Sequence, residues 1–233
     1  MKPEAIDPKG PLLADIVQKI RHSLLRCSAS LEPPATALQV QSAVADPMFP
    51  VTFLLRNLMT LEQEPRWQNL APSARGSGLL TMLVGRSSIF CEVRDWLRLR
   101  GAAPGPGVAA IQRAEKIEGG ADYCIHCGGC CEIASGLAVF PEGMEIPAKW
   151  RRIFAEGLGP NHRFCAFLWE DGGTGLSLCA IHHWRPNPCR LFALDECRHL
   201  LSDPGFAPFL NHSRLVAASS CLCRLLDGGQ FPP

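Results

Sequence analysis

The sequence lacks any excess of one charge: 23 lysines and arginines face 22 aspartates and glutamates, leaving a formal +1. That balance has none of the basic footprint of a nucleic-acid binder and gives no electrostatic reason to sit on a membrane surface, so neither partner is expected. A long apolar run is missing too. The stretches around Leu79 to Val84 and Leu215 to Leu226 are interrupted by Arg86, Ser219, Ser220 and Arg224, well short of the roughly 18 residues that a spanning helix needs. The start, MKPEAIDPKG, mixes charge and proline where an export signal needs a basic segment and then an apolar one, so a cytoplasmic protein is expected. No internal repeat is visible.

What is present is enough apolar material for a core, at 47% of 233 residues, and twelve cysteines. In a reducing compartment disulfides rarely account for such a number, which leaves metal ligation or redox chemistry. Export would reopen the disulfide reading, although the adjacent pair Cys130 and Cys131 does not suit it.

Composition divides the chain into a helical N-terminal region of unknown role, 1–120, a cysteine-rich metal-binding region, 121–201, and a C-terminal helix with a tail, 202–233. Within the first, Leu13, Ile16, Val17, Ile20, Leu24 and Cys27 recur at helical spacing, which predicts a helix from Leu12 to Leu31 with Pro33 and Pro34 beyond its end. Further helices are predicted over Pro50 to Glu64, Leu79 to Leu99 and Val108 to Ile117, with Ala-Ala-Pro-Gly-Pro-Gly after Gly101 as a turn or linker. Phe206 to Leu226 predicts one more. The cysteine-rich region offers glycines and prolines but few regular apolar repeats, so metal ligation is expected to dictate its shape. The expected fold class is therefore mainly α, a helical N-terminal layer packed on a small metal-organised core.

The most informative string is Cys124-Ile-His-Cys127-Gly-Gly-Cys130-Cys131. Thiolates three residues apart converge on one centre when the backbone curls, and Gly128 and Gly129 allow that curl at little cost. The continuation differs from the bacterial ferredoxin run and from the separated pairs of a zinc ribbon. Neighbouring side chains diverge in regular backbone, so Cys130 and Cys131 share one ion only where the chain is irregular; one of them can instead serve a second site or be a buried thiol. Downstream come Cys165-Ala-Phe-Leu, Cys179-Ala-Ile-His182-His183-Trp184-Arg185-Pro186-Asn-Pro-Cys189-Arg190, and Cys197.

This order resembles the YkgJ-type cysteine-cluster family of zinc- or iron-chelating domains, from Tyr123 to Arg198. The resemblance implies that Cys124, Cys127, Cys130, Cys131, Cys165, Cys179, Cys189 and Cys197 bind metal in a small cysteine-rich fold. His182 departs from the tyrosine common in that family, and residues 1–120 lie outside the resemblance. A related cluster occurs in flagellin lysine-N-methylases, which suggests a route to enzyme function, yet no nucleotide or S-adenosylmethionine signature is present here.

The ligand spacing leaves two cofactors open. An iron–sulfur cluster, of the 4Fe-4S type, is favoured because a compact CxxCxxC loop can meet several iron corners; zinc, which more often takes two separated pairs, is the alternative. His126, His182 and His183 are further candidate ligands, or donors to sulfur, and Arg185 and Arg190 either offset thiolate charge or form salt bridges with Glu170, Asp171 or Asp195. Pro186 and Pro188 stiffen the approach to Cys189. Trp150, Trp169 and Trp184 suit core packing or shielding of a centre, Cys27 and Cys91 suit buried thiols, and Cys221 with Cys223 suits either a thiol pair or helix packing. The expected function is a metal protein used in electron transfer, redox sensing or an accessory role with a protein or redox partner; a cluster-dependent enzyme and a zinc-stabilised interaction module are the alternatives.

Overall fold

The apolar spacing of the N-terminal region is realised as helices. A computed structural model describes residues 10–29, 31, 33–118, 128–129, 139–142, 146–150, 165–186, 189, 194–203 and 211–226. Its elements are α1 (Gly10–Ser28), α2 (Pro34–Ala45), α3 (Val51–Glu62), α4 (Pro65–Gln68), α5 (Pro72–Leu99), α6 (Val108–Glu118), a hairpin of β1 (Leu168–Asp171) and β2 (Leu176–Cys179), a 3-10 turn (His182–Trp184), α7 (Leu194–Ser202) and α8 (His212–Leu226). The protein is mainly helical.

Helix α1 buries Val17, Ile20, Leu24 and Cys27 and packs on α8, α2 and α3. Helix α2 lies along α5, and α8 packs against α3 and α5. Interior contacts run through aromatic rings: Phe49 meets Phe90 edge-on at 5.2 Å, and Phe90 meets Trp169 of the hairpin at 5.1 Å. Trp150 bridges Trp96 at 5.0 Å and Phe167 at 5.8 Å. Such rings carry large buried area, and truncating one typically costs about 3–5 kcal/mol.

The hairpin departs from the sequence expectation. Within the region 121–201, where the sequence predicts no regular elements, Leu168–Asp171 and Leu176–Cys179 form a regular antiparallel pair with Leu168 opposite Cys179 and Asp171 opposite Leu176. Phe167, Leu168, Trp169, Leu178 and Ile181 are buried in one continuous core with the helices. Apolar burial therefore contributes to holding this segment. Both faces of β1 are covered, which removes the alternation that betrays a strand.

The hairpin docks on the segment between α2 and α3: Glu170 N donates to Met48 O at 3.1 Å and Gly172 N to Pro47 O at 2.9 Å. Arg21, a single cation in the apolar stripe of α1 and 4% exposed, holds that segment. Its guanidinium donates to the carbonyls of Val44 at 2.7 Å, Asp46, and Pro47 and Phe49 at 3.2 Å each. At the hairpin turn Gly175 has φ +71°, and a Cβ there would stand 2.4 Å from Leu13 Cγ, so glycine lets the turn lie on α1.

Other differences lie at helix ends. Helix α5 starts at Pro72, seven residues ahead of the expected Leu79, because proline at the first turn nucleates it through a polar stretch. Helix α2 starts in the same way at Pro34, where the sequence suggested only the stop of α1. For the C-terminal helix, the expected start at Phe206 falls outside the described residues, which resume at Asn211. Among the described residues no helix is long and apolar enough to cross a membrane.

Candidate metal centre

Local backbone bonding brings two of the expected ligands together. Leu168 N closes a turn on Cys165 O at 3.0 Å and Ala180 N donates to Phe167 O at 2.8 Å, so Cys165 and Cys179 belong to the same end of the hairpin. Cys189 follows on another turn, its N donating to Pro186 O at 3.1 Å. The buried Cys165 thiol is pushed well above its ordinary value, first by burial and then by the negative charge that Cys179 and Cys189 would carry beside it. Of the three, Cys165 is buried and favours the neutral thiol, while Cys179 and Cys189 are half-buried.

Helix α6 fixes the middle cysteine. Gln112 spans the Cys179 backbone, accepting from its N–H at 3.0 Å and donating to its carbonyl at 2.9 Å. Three residues on, Glu115 Oε2 lies 3.5 Å from His182 Nδ1, and the His182 side chain is 11% exposed. His183 is exposed and stacks edge-on to His182 with centroids 5.4 Å apart.

The CxxCxxCC string is described at its glycine pair, which is buried. Gly128 has φ +75°, and a Cβ built on it would stand 2.1 Å from Cζ of Phe53 near the start of α3. Only glycine fits there. The adjacent Thr52 hydroxyl donates to Oε2 of the fully buried Glu170 on β1, and Arg56 lies over the Phe53 ring at 4.6 Å. One end of α3 thus touches both Gly128 of the cysteine string and the hairpin that carries Cys179. Burial pushes the Glu170 carboxyl up to about 7 against the opposing pull of Thr52, Arg21 and Arg56.

Cys124, Cys127, Cys130, Cys131, His126, Asn187, Pro188 and Arg190 lie outside the described residues. Cys197 is half-buried on α7. Among the described residues no three His, Cys, Asp or Glu side chains form a group able to hold a metal ion, so the described cysteines are not by themselves a closed ligand set.

The remaining candidates have structural uses. Arg185 Nε donates to His182 O at 3.0 Å, while Glu170 is engaged by Thr52 and Asp171 by the amides of Gly107 at 3.1 Å and Gly173 at 2.9 Å. Trp150 and Trp169 are core residues, and Trp184 is partly buried against the same core. Cys27 is a buried thiol and Cys91 a half-buried one. Cys221 and Cys223 sit on a helix, the first bonded to Glu62 Oε1 at 3.6 Å and the second to Ser23 O at 3.4 Å. No disulfide joins any two described cysteines.

Sequence reasoning missed Gln112, Glu115 and Phe53. The one available signal was Gln112 itself, a polar residue in line with the apolar Ala109 on α6. Comparison with protein-family models, with curated proteins and with solved structures returned no match.

Proposed function

We propose that the protein binds metal through its cysteine string and the hairpin cysteines, with an iron–sulfur cluster of the 4Fe-4S type as the resident group, used for electron transfer, redox sensing or an accessory role. The observation that carries this reading is the return of Cys165 and Cys179 to the same end of the hairpin, together with the seating of Gly128 on the helix that binds the same hairpin. Left alone a buried thiol stays protonated, whereas a bound cation would stabilise the ionised form and make it a ligand.

Cys124, Cys127, Cys130 and Cys131 would supply the loop ligands, and Cys165, Cys179, Cys189 and Cys197 the rest, as the likeness to YkgJ-type proteins implies. The group would supply one-electron chemistry or, with an open iron corner, a Lewis acid. The chain's own part is to hold the hairpin sulfurs still, through Gln112 and the turn at Cys165, and to keep water from them. The test is anaerobic purification with iron, zinc and acid-labile sulfide measured per chain. Brown protein with iron and sulfide in equal amounts supports the reading; colourless protein with zinc favours the zinc-stabilised module; a chain without either metal refutes it.

A further inference from the structure

We propose that Glu170 and Arg21 form a proton-operated latch: loss of the Glu170 proton draws the Arg21 guanidinium off the carbonyls of the segment between α2 and α3 and onto the carboxylate, loosening that segment. The proposal is independent of the metal-binding reading. It starts from two buried atoms. Among the described residues, Oε1 of Glu170 and Nε of Arg21 have no hydrogen-bond partner, although Glu170 is 0% and Arg21 4% exposed. The first is an acceptor once the carboxyl ionises, and the second is always a donor.

The two groups already act on each other. Burial lowers the Arg21 guanidinium from its ordinary value, and of the charges opposing that shift Glu170 comes first and Asp46 second. In return Arg21 pulls the Glu170 carboxyl down, behind the Thr52 hydroxyl and ahead of Arg56. Burial outweighs all three and holds the carboxyl at about 7, so the folded chain keeps this proton below that pH and releases it to solvent above.

The contacts seen suit the neutral carboxyl. Thr52 donates to Oε2, while Arg21 spends its NH1 and NH2 groups on the carbonyls of Val44, Asp46, Pro47 and Phe49. A buried carboxylate needs more donors than one hydroxyl, and a guanidinium bond to it is roughly twice as strong as a bond between neutral groups. Arg21 therefore has reason to change partners when Glu170 ionises.

The charges on the surrounding elements make the change local. Asp46 is engaged elsewhere: Oδ1 accepts from Met48 N at 3.0 Å, and Oδ2 pairs with Arg94 at 3.1 Å and Arg98 at 3.5 Å. Those two arginines keep the segment tied to α5 when Arg21 leaves it. Arg56 of α3, over the Phe53 ring at 4.6 Å, is the rival cation for Glu170. On β2 the residue opposite Glu170 is the neutral Ser177. Asp171, next on β1, is held by the amides of Gly107 and Gly173.

The experiment follows full-length wild type and Glu170→Gln by NMR between about pH 5 and about pH 9, on either side of the Glu170 value. The signals are the Glu170 carboxyl carbon, the Arg21 and Arg56 Nε–H groups, and the amides of Asp46, Met48 and Phe49. In wild type the carboxyl carbon is expected to titrate at about 7, with the Arg21 Nε–H and the three amides shifting at the same midpoint. In Glu170→Gln those shifts are expected to vanish. A Glu170 carbon that titrates near the ordinary 4.5 overturns the latch. So does an Arg21 signal that ignores the Glu170 midpoint, a shift at Arg56 in its place, or a pH response that survives in Glu170→Gln. Should that variant fail to fold, the wild-type midpoints decide: a shared one supports the latch and separate ones overturn it.

Discussion

Replacing Glu170 by glutamine keeps the shape of the side chain and its acceptor for Thr52 while removing the ionisable proton. In the folded chain the carboxyl is pushed up to about 7 from an ordinary 4.5, chiefly by complete burial. Between those values the folded state holds a proton that the unfolded chain has lost. The stabilisation is thus fully present below about pH 4.5, falls as pH rises, and is gone above about pH 7. At about 1.4 kcal/mol per unit, the shift is worth about 3 kcal/mol. Denaturant unfolding of wild type and Glu170→Gln at a series of pH values from 4.5 to 8 isolates this contribution, because titrations common to both proteins cancel in the difference. Relative to wild type, Glu170→Gln should gain about 3 kcal/mol across that range. A difference that stays flat with pH would refute the assignment of Glu170 as a buried carboxyl with a raised pKa.

Three further outcomes are expected. Gly128→Ala combines a positive φ with a Cβ placed 2.1 Å from Phe53; it should cost more than about 1 kcal/mol and reduce metal per chain, and a second change, Phe53→Leu, should recover part of both in the same metal and unfolding assays. Arg21→Lys keeps the charge but cannot reach four carbonyls with one planar fork, so thermal unfolding should show a loss of at least about 3 kcal/mol. Gln112→Ala releases the Cys179 backbone without touching a sulfur, and amide hydrogen exchange at residues 176–180 should speed up while exchange in α1 stays unchanged.

The parts of the fold legible in the sequence are those where one face is apolar and the other is not. Val17, Ile20 and Leu24 mark α1 because its outer face carries Asp15, Lys19 and His22. The same contrast marks most of α5, whereas α3 is buried on every face from Val51 to Met59. Legibility failed for the hairpin, where Trp169, Glu170 and Asp171 are all buried and two of them are acidic, so that no period and no polarity separates strand from loop. The partners of those acids come from distant segments, Thr52 and Gly107, which local pattern does not connect. In the centre, the cysteines stood out as a residue type at a spacing, whereas Phe53 acts by position alone and only the folded chain reveals it.

The account's central claim is that the cysteine string and the hairpin cysteines form one metal centre that also supports the fold, and metal stoichiometry across three variants tests it most directly. Metal–thiolate bonds of a structural site supply on the order of 10 kcal/mol, so Cys127→Ser in the string and Cys179→Ser on β2 should each lose most of the bound metal and become more sensitive to protease. Cys27→Ala, a buried thiol of α1 far from the string in sequence, should keep the wild-type content. Full metal loading and unchanged protease protection in both Cys127→Ser and Cys179→Ser would contradict the claim.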